Sequence, residues 1–157
     1  MKRTGFTLIE LLMTAVIFTV VIMVVVGAGN NVQRRIQVAE TVQIHETLSK
    51  AILAYDRETS QPPSNRAEQD SSVSLLESLE ESPASQLQLQ WLPRDAIAMN
   101  DRGQRQLIDG YRLPIRYQPR GGLGGHCPRF VSLGYDPNDA SDDLMTDVLI
   151  PWKGRSR

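Results

Sequence analysis

The chain opens on an apolar run. From Phe6 to Val26 it reads FTLIELLMTAVIFTVVIMVVV, with Glu10 as the only charge and no proline. At about 1.5 Å per residue, a helix of this length covers roughly the 30 Å hydrocarbon core of a bilayer. Its β-branched residues disfavour helix in water. In lipid the backbone must satisfy its own hydrogen bonds, and a helix is the only way a single segment can do so. Beyond Gly27, Ala28 and Gly29 the pattern changes. Val38, Val42, Leu48, Ile52 and Tyr55 recur among Glu40, Glu46, Lys50 and Asp56, which predicts an amphipathic helix from about Val32 to Arg57. That helix continues the anchor apart from a soft spot at the glycines. His45, Arg34 and Arg35 are read as its solvated face.

Pro62 and Pro63 end the helix. Val73, Leu76 and Leu79 behind Ser71 and Ser72 predict a second, short helix to about Glu81. Leu87, Leu89 and Trp91 alternate with glutamines and read as a short strand limited by Pro93. Toward the C-terminus, LPIRYQP and PRFVSLGY flank the glycines of GGLGG and predict an antiparallel pair. GGLGG lacks the lysine and Ser/Thr of a phosphate loop, so it is read as a turn.

Composition narrows the function classes. Seventeen Lys and Arg against eighteen Asp and Glu leave a formal charge of −1, so no global field points to nucleic acid, and none is expected as a partner. Cys127 is the only cysteine and cannot form an intramolecular disulfide. An enzyme would need a nucleophile with its base, a metal with nitrogen or sulfur ligands, or a nucleotide loop. His126 and Cys127 are adjacent, and on a strand they point to opposite faces. The chain is therefore read as a non-enzyme.

Lys2 and Arg3 precede the span and Arg34 and Arg35 follow it, so the positive-inside count does not orient it. A secretory signal peptide cut near Gly27 to Gly29 is one reading, although its apolar region is usually shorter and uncharged. Glu10 either snorkels to the headgroups or has a partner within the membrane.

Lys2 to Leu12, KRTGFTLIELL, closely resembles the prepilin leader of type IV pilins and of type II secretion pseudopilins. The resemblance implies cleavage between Gly5 and Phe6 by a prepilin peptidase, methylation of the new Phe6 amine, and a role for Glu10 in registering incoming subunits. Cleavage would place a cationic amine about one turn from Glu10, and staggered helices could pair the two charges between neighbours. Asp109, Gly110, Tyr111, Pro114, Ile115, Arg116 and Tyr117, with Ser132, Leu133, Gly134 and Asp136, are similar to pseudopilin C-terminal motifs, although the order around Gly110 differs. The fold implied is α+β and pilin-like: a long N-terminal helix, half transmembrane and half amphipathic, packed on a small antiparallel sheet. Its divisions are a leader (1–5), a transmembrane helix (6–29), a stalk (30–57) and a head (58–157).

The resemblance further implies a single-pass inner-membrane protein with a cytoplasmic N-terminus and a periplasmic or extracellular head. Its partners would be the peptidase and other pilin or pseudopilin subunits, and its role that of a filament subunit. The alternatives are a processed binding module that never polymerises and a minor pilin of a surface or DNA-uptake pilus. Residues 136–147, DPNDASDDLMTD, are acidic with no basic residue among them. They are either a solvated turn or, as the pseudopilin resemblance implies, a calcium loop with Asp136, Asp139, Asp142 and Asp143 as ligands. The spacing is not that of an EF-hand.

Overall fold

The computed structural model describes residues 8–64 and 71–149. The chain divides into two compact units, Met1–Ile36 and Gln37–Arg157. One helix, α1 (Leu8–Thr59), contributes to both.

In the first unit the helix carries the apolar run. Its most apolar window has a mean hydropathy of 2.8, and among the described residues none of it is buried. It is long and apolar enough to cross a membrane. Its hydroxyls do not oppose this. Thr14 and Thr19 donate to the carbonyls of Glu10 and Ala15, one turn back, at 2.9 Å each, so both donors are satisfied within the helix.

The second unit is an α+β head built on the C-terminal half of α1. Two short helices follow, α2 (Ser71–Glu81) and α3 (Pro83–Leu89). A two-stranded antiparallel sheet pairs β1 (Ile97–Met99) with β2 (Arg105–Leu107). A three-stranded antiparallel sheet runs in the order β3 (Arg116–Gly122), β4 (Cys127–Ser132), β5 (Leu144–Asp147). This is the pilin-like arrangement the sequence implied, with β3 and β4 forming the pair across the glycine-rich turn.

The core joins Ile44, Leu48, Ala51 and Ile52 of α1 to Leu75, Leu76 and Leu79 of α2. Leu107, Ile115, Tyr117, Phe130 and Val148 close it from the sheets. Each of the large aliphatic side chains contributes about 1.5–3 kcal/mol through its removal from water. Polar contacts register the layers. The Tyr117 hydroxyl donates to the Pro63 carbonyl at 3.0 Å, and the Tyr117 amide donates to Ser71 Oγ at 3.2 Å.

Four local readings need correction. The buried face of the stalk holds Thr41, Ile44, His45, Leu48 and Ile52, whereas Val38 and Val42 are 37% and 44% exposed. The two valines lie at the margin of the packed arc, so their spacing alone mislocated it. His45 is not on the solvated face; it is only 1% exposed. Residues 83–89 are helix rather than strand. Ser82 caps it by accepting from the Ser85 amide, and Pro83 occupies the first turn where no amide donor is needed. Finally, Leu144–Asp147 is a strand, which shortens the acidic loop to residues before Leu144.

Candidate functional site

Three regions carry chemistry: the start of α1, the acidic loop, and a polar cluster inside the head.

At the start of α1, Glu10 lies in the first turn of the described helix with an exposed side chain, flanked by exposed Leu8, Ile9, Leu11 and Leu12. A carboxylate on an apolar helix surface is expensive in lipid without a partner. Gly5 and Phe6 lie outside the described residues.

The acidic loop is organised by its own carboxylates. Asp142 Oδ2 accepts from the amides of Tyr135 and Asp136 at 2.8 and 3.1 Å. Gly134, with φ of +66°, lets the backbone pass beneath Asp142; a Cβ there would stand 2.5 Å from the carboxylate. Asp136 Oδ1 accepts from the Asn138 amide at 3.0 Å, and Asp139 Oδ1 from the Ser141 amide at 2.9 Å. The Ser141 hydroxyl and amide hold the Asp139 carboxyl below its usual range. Asp143 is half-buried.

One oxygen each of Asp136, Asp139 and Asp142 is thus engaged by backbone. Among the described residues no three His, Cys, Asp or Glu side chains gather where one metal ion could sit. The donors are hard oxygens of the kind calcium takes. Asp142 Oδ1 is the atom that fits best, because it is buried and meets no hydrogen-bond donor.

The third region was missed in the sequence. His45 Nδ1 lies 2.9 Å from Thr146 Oγ1 of β5, and Nε2 lies 3.1 Å from Ser132 Oγ of β4. Its ring centroid is 5.4 Å from that of Phe130. Burial pushes the imidazole down to about 4, so at neutral pH the ring is uncharged.

Ser132 also neighbours Asp109. Asp109 Oδ1 accepts from the Tyr111 and Leu113 amides, both at 2.9 Å. Asp109 Oδ2 meets no donor at hydrogen-bonding geometry, although the Ser132 hydroxyl is close enough to favour the charged form. Burial outweighs these contacts and raises the Asp109 carboxyl above its ordinary value.

A serine against a histidine invites a catalytic reading. Ser132 and His45 are 0% and 1% exposed, so a substrate cannot reach them in this fold. The cluster ties α1 to the sheet. The signal for it was the 3–4 spacing of Thr41, His45, Leu48 and Ile52, which puts His45 on the packed face.

A search of curated proteins and a search of solved structures give no match. Residues 1–26 match the family model described as the prokaryotic N-terminal methylation motif, so the chain carries the prepilin leader of type IV pilin-like proteins.

Proposed function

We propose that this protein is a prepilin-peptidase-processed structural subunit of a type IV pilus-like or type II secretion pseudopilus filament. The observation that carries the reading is the leader, followed by Glu10 on a long apolar helix that is exposed among the described residues. Removal of residues 1–5 by the peptidase leaves a Phe6 amine, which methylation keeps cationic. Glu10 of one subunit meets that amine on the next, and the pairing offsets the cost of holding both charges in lipid. The apolar helix serves first as a single-pass inner-membrane anchor, N-terminus cytoplasmic, and then as the filament's packing surface. A long apolar helix exposed among the described residues favours this over a solitary processed binding module, because in a filament neighbouring helices cover it.

Crosslinking in cells tests the reading. A filament subunit yields a ladder of multimers, whereas a solitary anchored module yields monomer.

Calcium at the acidic loop belongs to the same proposal. Asp142 Oδ1 supports it; Asp136, Asp139 and Asp143 do not gather around one point in this loop conformation and would supply further oxygens only as the loop closes on the ion. A bound ion would neutralise the clustered carboxylates and fix the loop beside β5.

A further inference from the structure

We propose that His45, Ser132 and Thr146 form an acid-released latch that holds the edge strand β5, together with the acidic loop preceding it, against helix α1. The bridge has two arms. His45 meets Thr146 on β5 and Ser132 on β4, partners 101 and 87 residues away in sequence. A neutral imidazole can hold both hydroxyls, donating from one nitrogen and accepting at the other. A protonated ring has two donors and no acceptor, so one hydroxyl must turn and a buried charge appears beside Phe130.

The response is local because of the topology. Among the described residues β5 lies at the edge of the sheet and pairs with β4 alone, over Arg129↔Asp147 to Ser132↔Leu144. It can therefore detach without opening the pairing of β3 with β4 or the packing of α2 on α1.

The charged surroundings supply no equal trigger between pH 7 and 4.5: Arg129 holds the Asp147 carboxyl below its usual value, so acid weakens their pair in the same sense as His45 but only below the ordinary carboxylate range. Phe130, Ser132 and Thr146 share one face of the sheet, and Arg129 and Asp147 pair with each other at 2.6 Å from the alternate positions. On α1, Glu46 is exposed, and Ser49 Oγ donates to the His45 carbonyl. Asp109 reaches the cluster through Ser132, but its carboxyl is raised in the fold, so acid favours the folded form there and acts in the opposite sense. The imidazole sits at about 4 in the closed latch against 6.5 in water. The opening constant should therefore be roughly fiftyfold larger at pH 4.5 than at pH 7.

Amide hydrogen exchange on the full chain in detergent micelles, corrected for the intrinsic rate at each pH, tests this. Peptides covering 144–149 should lose protection by roughly that factor between pH 7 and 4.5 while α2 keeps its own. His45→Gln, which can donate and accept but not titrate, should abolish the pH dependence. Unchanged protection of β5 at pH 4.5, simultaneous loss across α2, or a full pH response in His45→Gln would overturn the proposal. If His45→Gln fails to fold, the wild-type exchange profile decides alone.

Discussion

Gly110 presses against the backbone of α1 at Gln37: a Cβ built on it would stand 2.3 Å from the Gln37 carbonyl oxygen. The same turn sends the Gly110 amide to Thr41 Oγ1 at 3.0 Å, and that hydroxyl donates onward to the Gln37 carbonyl at 2.8 Å. The turn before β3 is thereby seated on the stalk by contacts that only a glycine permits. Gly110→Ala should destabilise the head by about 1–3 kcal/mol, because the obstacle is helix backbone and cannot turn aside. A thermal melt of the purified chain in detergent checks it; an unchanged midpoint would show that the seat yields at no cost.

Asp109 separates geometry from charge. Asp109→Ala leaves the Tyr111 and Leu113 amides without their acceptor and should cost about 1–3 kcal/mol. Asp109→Asn keeps the acceptor and removes a buried charge. The raised carboxyl means that stability from protonating it is present at low pH and lost as pH rises through the folded value. Asp109→Asn should therefore match or exceed the wild-type melting temperature at pH 7, with its advantage shrinking toward pH 4. An advantage that grew as pH fell would contradict the assignment.

Calcium should raise the melting temperature of the wild-type chain. A ligand at a hundredfold excess over its Kd adds about 2.7 kcal/mol when it binds only the folded state. Repulsion among the carboxylates, taken alone, predicts that removing one helps the calcium-free protein. The structure reverses that sign for Asp142, because its Oδ2 holds two amides of the loop. Asp142→Ala should both abolish the calcium shift and lower the calcium-free midpoint, whereas Asp143→Ala should act on the shift alone. Equal midpoints for wild type in calcium and in chelator would leave the run as a solvated turn.

The parts of the fold that follow from local rules were legible in the sequence. The first half of α1 follows from its uninterrupted apolar run, α2 from the spacing of Val73, Leu76 and Leu79, and the β3–β4 pair from two β-rich runs around glycines. What escaped depends on distant partners. A histidine amid glutamates and a lysine reads as surface until Ser132 and Thr146 arrive from the far end of the chain. The three-residue strands β1 and β2 are too short for periodicity to register. The Leu and Gln alternation of residues 86–90 imitated a strand, and the Ser82 cap with Pro83 decided for helix. Gly110 looked like an ordinary turn glycine, since nothing local reveals that Gln37 lies against it.

Glu10→Ala should insert and be processed normally but assemble poorly, because the Phe6 amine of the neighbouring subunit loses its counter-charge. Alanine is the better helix former, so a folding defect in the anchor is not expected to imitate the effect. Sheared filaments measured against cell-associated monomer provide the readout. Normal filament yield would show that Glu10 only snorkels to the headgroups.

Mass spectrometry of the mature N-terminus reads the processing site itself. A processed filament subunit begins at Phe6 with a methylated amine, having lost Met1 to Gly5. A chain beginning near Asn30, as signal-peptide cleavage after Gly29 would give, or one still carrying the leader, would contradict the proposed processing.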